Sequence, residues 1–398
     1  MLSDFSELVT LLSGRDLEGN DCNSNREGIP YLIGASNIVD GKINITRWTT
    51  KPLVISKRGD ILISCKGTIG EVVTNVIGEI HIARQFMAIQ TLPMVYADYI
   101  ELYIKSIVNN IKRNARGVIP GISREDILQR EIALPPLEEQ KRIVIEVEKW
   151  LDYIADIEAE KNELESHIKK TKSTILDLAI SGKLVPQDPD DEPAIELLKR
   201  INPDFKPCDN SHYENLPQGW VKLRLGDVCS FERGITFPSS AKSTINQPGM
   251  IACIRTANVQ DNLELDDLWY VGKEYIKRST EKLVRKNDII MSSANSRELV
   301  GKVSYVHDIP EQMTFGGFVL NIRAKECILP FYLFLMLRTL YLKGYYLTIA
   351  TQTTNIANLN TKILSNIEII LPPLTEQERI INTVNKVLDR INDITAEL

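Results

Sequence analysis

The chain has 398 residues, 43% apolar and 25% charged, an ordinary globular composition with room for two or three domains. No apolar run approaches the roughly 20 residues of a membrane-spanning helix. Met1-Leu2-Ser3-Asp4 lacks the basic and apolar start of a secretory signal, so a cytoplasmic location without a membrane role is expected.

The net charge of −6 argues against nucleic acid for the chain as a whole. Its distribution weakens that objection. Residues 1–136 are net 0, 137–216 net −8, 217–373 net +4 and 374–398 net −2. The acidic excess therefore falls in the stretches expected to be helix and linker. The six cysteines form no Cys-x-x-Cys pair and the four histidines are scattered, so no metal site is expected. Idle thiols in a reducing compartment are the plain expectation.

In chain order, residues 1–136 read as a first globular block. Short β-rich runs, Asp60–Ser64, Glu71–Asn75 and Arg84–Gln90, are separated by Gly and Asn/Asp turns. A helix is predicted over Tyr96–Asn110, then an irregular loop and a last strand, Glu131–Leu134, ended by Pro135-Pro136. Residues 137–216 read as a long helix, Leu137 to about Ile180, stopped near Gly182 and followed by a proline-punctuated acidic connector and a short helix, Ala194–Ile201. Residues 217–373 repeat the first block, with a helix over Phe331–Tyr341 and a last strand over Glu368–Leu371. Residues 374–398 read as a shorter helix, whose start is signed by Thr375-x-x-Glu378 as a capping box.

The repeat is explicit. Ile132-Ala133-Leu134-Pro135-Pro136-Leu137-Glu138-Glu139-Gln140-Lys141-Arg142-Ile143 recurs as Ile369-Ile370-Leu371-Pro372-Pro373-Leu374-Thr375-Glu376-Gln377-Glu378-Arg379-Ile380, an offset of 237 residues. Gly59–Ser64 pairs with Asn287–Ser292, and Ser13-Gly14 with Arg233-Gly234. After each Pro-Pro a heptad stripe begins. In the first helix Gln140, Ile143, Val147, Trp150 and Ile154 open it, and it continues to Leu178. In the second it runs through Gln377, Ile380, Val384, Val387 and Ile391. These residues are expected to form the core of a helix pair, with Trp150 large enough to dock a partner instead. The fold expected is α+β: two similar mixed α/β domains separated by a long antiparallel coiled-coil helix pair, with pseudo-two-fold symmetry.

Both Leu-Pro-Pro-Leu-x-Glu-Gln-x-Arg-Ile segments, Ser181-Gly182-Lys183-Leu184-Val185-Pro186-Gln187, and Leu216-Pro217-Gln218-Gly219-Trp220 before Leu225-Gly226-Asp227-Val228 resemble the specificity subunit of type I restriction–modification systems. The resemblance covers nearly the whole chain. It departs at the start, where no Leu-Pro-x-Gly-Trp phrase precedes the first block, and at Leu398, the counterpart of Lys161. It implies two target-recognition domains, each reading half of a split double-stranded DNA site. The helices would set the gap and bind two methyltransferase subunits, with restriction/translocase subunits joining for cleavage. It implies no cofactor on this chain: S-adenosylmethionine and ATP would belong to partners.

No catalytic residue is expected. The chain lacks Gly-x-x-x-x-Gly-Lys-Ser/Thr, Gly-x-Gly-x-x-Gly after a strand, and the Asn/Asp-Pro-Pro-aromatic loop of adenine methyltransferases. Two rival readings stay open here, a coiled-coil assembly protein without a DNA role and an enzyme with unrecognised motifs. For DNA contact the expected residues are loop cations and amides. In the first block they are Arg15, Lys66, Thr68, Arg113 and Arg116; in the second, Arg233, Asn295, Arg297, Gln352 and Asn355. Arg15 and Arg233 are expected to be approximate counterparts.

Overall fold

A computed structural model describes residues 2–114, 121–208, 216–276, 279–352 and 356–396. It falls into two compact units, residues 1–159 and 160–398.

The first unit carries helices α1 (Ala97–Asn114) and α2 (Arg124–Leu128) and the first part of α3 (Leu137–Ile180). An antiparallel four-stranded sheet has the order Val9–Ser13, Phe86–Thr91, Ile61–Ser64, Val72–Thr74. A second sheet orders Arg47–Thr49, Ile29–Leu32, Ile80–Ile82 and Ile55–Ser56, with Ile29–Leu32 parallel to Ile80–Ile82. Strand Leu2–Asp4 pairs antiparallel with Glu131–Ala133. Ile61, Leu62 and Ile63 are all fully buried, because one face of their strand packs with Ile100 and Ile104 of α1 and the other with Leu32 and Phe86. An apolar run without alternation is what a strand covered on both faces needs.

The second unit carries α4 (Ala194–Ile201), α5 (Leu225–Val228), α6 (Pro330–Leu342), α7 (Tyr345–Ile349), α8 (Thr361–Ser365) and α9 (Leu374–Ala396). It repeats the four-stranded antiparallel sheet strand for strand and three of the four strands of the second sheet. Cys229–Arg233, Val319–Ala324, Ile289–Ser292 and Val303–Tyr305 form the antiparallel sheet. Trp269–Gly272, Met250–Ile254 and Met313–Phe315 form the second, again with one parallel pair. Val221–Arg224 pairs with Glu368–Leu371. The sequence repeat is thus a structural one.

The predicted helices lie close to α1 and α6, and the long helix is α3, 44 residues from Leu137 to Ile180, about 66 Å at 1.5 Å per residue. Within the second unit the last turns of α3 pair with α9. Ile175, Leu176 and Ala179 share a core with Ile380 and Val384, and with the partly buried Val387 and Ile391. Lys172 Nζ donates to Asn392 Oδ1 at 2.8 Å, whereas Glu376, at the opposite end of α9, meets Gln187, which follows α3. The two stretches therefore run antiparallel.

Three expectations about the helices need correction. Gln140 and Gln377 belong to no interhelical seam. Each is buried within its own unit, where its amide accepts a backbone N–H and donates to the carbonyl of its own Pro-Pro pair. Trp150 and Ile154 are 58% and 50% exposed, and Val147 and Ile143 only half-buried. The apolar stripe continues through them, but α9 has 23 residues against the 44 of α3 and covers only the far end. Finally, α9 begins at Leu374, one residue before the predicted cap. Thr375 is therefore inside the first turn, and its hydroxyl donates to the Asp191 carboxylate.

Candidate nucleic-acid interface

At one rim of each domain, loops from both sheets are pinned by the same backbone hydrogen bonds. Gly14 N–H donates to Phe86 O at 3.0 Å and Arg15 N–H to Ile82 O at 3.0 Å. Their counterparts are Gly234 N–H to Val319 O at 3.1 Å and Ile235 N–H to Phe315 O at 2.8 Å. Cys65 N–H to Gln85 O and Ile122 N–H to Cys65 O are matched by Ser293 N–H to Phe318 O and Leu359 N–H to Ser293 O. Asn37 and Asn258, both buried, cap equivalent turns through Gly34 and Arg255. The two glycines are required: a Cβ on Gly14 would lie 2.1 Å from the Ala83 oxygen, and one on Gly234 2.1 Å from the Gly316 oxygen.

This frame corrects one expected equivalence. Arg15 corresponds to Ile235, and Arg233 to Ser13, because the pinned glycines Gly14 and Gly234 fix the register. It also shows what varies on an unvarying frame. Lys66 stands where domain 2 has Ala294, since both form the bridge beside the returning chain, to Gly121 and Asn358. Gln85 stands opposite Phe318, Arg84 opposite Gly317, and Arg47 opposite Trp269. The loop between Ser64 and Gly70 spans residues 65–69, and that between Ser292 and Gly301 spans the longer stretch 293–300.

The structure gathers most of the sequence-predicted residues on these rims. In domain 1, exposed Lys66 and Thr68 lie on the 65–69 loop, against which α1 delivers its last turn with exposed Arg113; the alkyl chain of Lys112 fills the space beside Gly70. Exposed Arg15 follows the first pinned strand. In domain 2, exposed Arg233 donates from Nε to Gly317 O at 3.3 Å. Exposed Arg297 lies on the 293–300 loop, and exposed Gln352 lies on strand Thr351–Gln352, which pairs with Ala357–Asn358 and through it with Ala294–Asn295 of this loop. Asn295 is half-buried and its amide braces the loop, donating to Ser292 Oγ at 3.1 Å and accepting Ser296 N–H at 2.8 Å. Arg116 and Asn355 lie outside the described residues.

Beneath the rim of domain 1, His81 is fully buried beside Tyr31. Burial pushes its pKa below the usual imidazole range, so the ring is neutral at physiological pH. The positive charge of the rim is therefore that of its arginines and lysines. Among the described residues, no group of three or more His, Cys, Asp or Glu is placed to hold a metal ion, and no helix is long and apolar enough to cross a membrane.

Sequence reasoning missed four rim positions: Gly34/Arg255, Arg47/Trp269, Gln85/Phe318 and Lys242. None belongs to a repeated phrase. Only the backbone bonds beneath them reveal the correspondence.

Comparison with known proteins places this architecture. The chain is 24% identical to the type I restriction enzyme EcoAI specificity subunit of Escherichia coli, over 91% of this chain and 69% of that protein. It is 22% identical to the EcoBI specificity subunit of Escherichia coli, over 98% of this chain and 78% of that one. Its fold is similar to that of the HsdS subunit crystal structure from Thermoanaerobacter tengcongensis, with TM-score 0.57 at 18% identity, over 100% of this chain and 91% of that one. It is also similar to a chain from a structure of the assembly and conformational transition of the type I R-M system, with TM-score 0.69 at 18% identity, over 100% and 92% of the two chains. Residues 2–166 and 217–398 both match the type I restriction modification DNA specificity domain, and the chain therefore belongs to that family of DNA-recognition subunits.

Proposed function

We propose that each domain reads one half of an asymmetric, bipartite site in double-stranded DNA. The observation that carries this reading is the common rim frame with exchanged side chains. Two readers with the same scaffold would approach two half-sites in the same way, and different rim residues would select different bases. Two copies with identical rims would instead select a palindrome, as symmetric dimers do.

The helices have a second role in this proposal. They bear the distance between the half-sites and dock two methyltransferase subunits, with restriction/translocase subunits joining for cleavage. The exposed stripe at Trp150, Ile154 and Ile157 supports docking, since apolar side chains in heptad register favour a covering surface. Methyl transfer from S-adenosylmethionine and ATP-driven cleavage fall to the partners, and the chain performs no covalent step. Residues 217–373 are net +4 and residues 1–136 net 0, so DNA affinity of the chain alone would be weak and salt-sensitive.

The test is to express the chain with its methyltransferase subunits and map the methylated positions by sequencing. An asymmetric split site is expected, together with no transfer of labelled methyl by the chain alone. A palindromic site, or transfer without a partner, overturns the proposal.

A further inference from the structure

Domain 2 carries a chemical feature that its twin lacks. A cavity of about 410 Å³ opens between the pinned loops, lined by Arg233, Lys242, Arg255, Trp269, Gly317 and Phe318 among others. Two cations lie against one aromatic ring: Lys242 Nζ is 4.3 Å from the Trp269 ring centroid, and the Arg255 guanidinium carbon 5.1 Å from it. Phe318, at the mouth on the Gly316-Gly317 turn, is 63% exposed. Domain 1 has Gly34, Arg47 and Gln85 at the positions of Arg255, Trp269 and Phe318.

Arg255 is held unlike an ordinary surface cation. Its Nη2 donates to the Asp267 carboxylate, and to the Asp267 backbone oxygen at 3.2 Å. Its backbone N–H is tied to Asn258 Oδ1 at 2.9 Å. Its side chain is 24% exposed, its Nε is buried without a partner, and among the described residues no bond falls on Nη1. Nη2 is thus taken by the side chain and main chain of Asp267, Nε is buried, and one face of the guanidinium lies on an indole, which leaves Nη1 as the nitrogen available to a ligand. A phosphate contact depends less on such holding, because its charge attracts a cation in any orientation even where a bidentate fit adds to the attraction. A base edge does: guanine offers O6 and N7 in one plane, and the two N–H groups of a preset Nη1 meet that edge with little loss of rotamer freedom. An exposed phenylalanine beside it provides apolar contact for a base face or a thymine methyl group.

We propose that Arg255 and Phe318 are specificity determinants of domain 2, Arg255 reading a guanine edge and Phe318 packing on the adjacent base, while Arg233 and Lys242 engage phosphate. This rests on the reading of each domain as a DNA reader. It predicts a guanine in the half-site read by domain 2 that has no equivalent contact from Gly34 in domain 1.

The experiment uses the full chain assembled with its methyltransferase subunits and a DNA library randomised in both half-sites. Arg255→Lys keeps the charge and loses the fixed planar donor. It is expected to reduce preference for guanine at one position by about 10–100-fold, leaving the other half-site and the salt dependence of binding unchanged. Phe318→Gln, at an exposed position, is expected to relax the adjacent position alone. Uniform weakening across all sequences with a shallower salt slope would make Arg255 a phosphate contact and overturn the proposal, as would an unaltered profile. Loss of the whole second half-site in Arg255→Lys, with the thermal transition also lost, reports misfolding; the Phe318→Gln profile then decides. If the unmutated assembly selects no sequence at all, the underlying reading fails rather than this assignment.

Discussion

Gln377 Oε1 accepts the Leu329 N–H at 2.8 Å, and Gln140 Oε1 accepts the Tyr96 N–H at 2.8 Å. In both domains one buried amide joins the start of the helix after Pro-Pro to the start of the domain's own longer helix, α1 in the first and α6 in the second. Each also donates to its own proline carbonyl, Pro372 at 3.1 Å and Pro135 at 2.9 Å. This accounts for glutamine at the same place in both repeats: a donor and an acceptor are needed on one short planar group. Gln377→Leu leaves a buried N–H and a buried C=O without partners, at about 1–3 kcal/mol each. Denaturant unfolding should register a loss of about 2–4 kcal/mol, and Gln377→Glu, which sets a buried carboxylate oxygen against the Pro372 and Cys327 carbonyls, should lose at least as much at neutral pH. Equal stability of all three proteins would remove the joint from the account.

The sequence makes the repeat, the long helix and its end at Gly182 legible, because Leu-Pro-Pro and a heptad stripe are local signals that backbone geometry enforces. The rim was less legible. Its frame is made of main-chain hydrogen bonds, which any residue can supply, so no side-chain identity survives at Gln85 and Phe318. Arg15 and Arg233 look paired because each adjoins a glycine. They sit on opposite sides of it, and in a strand a shift by one residue changes the face presented. The stripe on α3 was read correctly as apolar, but periodicity does not say where along a 44-residue helix the cover stops.

That division gives a second prediction. Ile380 and Val384 are fully buried against α3, and Ile380→Ala should destabilise the second unit by about 2–5 kcal/mol. Trp150→Ala and Ile154→Ala, at exposed positions, should change the stability of the isolated chain by about 0.5 kcal/mol or less. If the stripe docks a partner, the same two substitutions should weaken assembly with methyltransferase subunits, measured by analytical ultracentrifugation or light scattering. Intact assembly with both positions replaced would place the docking surface elsewhere.

Acid should loosen the joint between the connector and α9. Arg379 donates to Asp191 at 3.1 and 2.5 Å, and this pairing, with Thr375, holds the Asp191 carboxyl below its ordinary range. A depressed folded-state pKa stabilises above the unfolded value, about 3.9, and that contribution is lost as pH falls through the folded value. Nearby Glu376 has the opposite sign: burial raises its pKa although Trp220 and Gln187 donate to it. Its protonated form is favoured in the folded chain, so that contribution fades as pH rises through the folded value. Asp191→Asn should therefore be less stable than the parent at neutral pH, with the gap narrowing as pH falls below the unfolded value of about 3.9. A gap independent of pH would mean that packing, not charge, explains the residue.

The length of α3 offers the sharpest test of the spacer proposal. Deleting seven residues within the exposed stretch between Trp150 and Leu164 removes about 10.5 Å of helix. Because seven residues complete almost two turns, side chains beyond the deletion rotate by only about 20°, and the pairing of Ile175 and Leu176 with α9 is preserved. At about 3.4 Å per base pair, the tolerated gap between half-sites should shorten by about three base pairs while both half-site sequences stay the same. Deleting three residues instead turns the far end by about 60° and should reduce binding at every gap length. A gap that stays fixed in the seven-residue deletion, with both half-sites still selected, would show that the distance is set by something other than this helix.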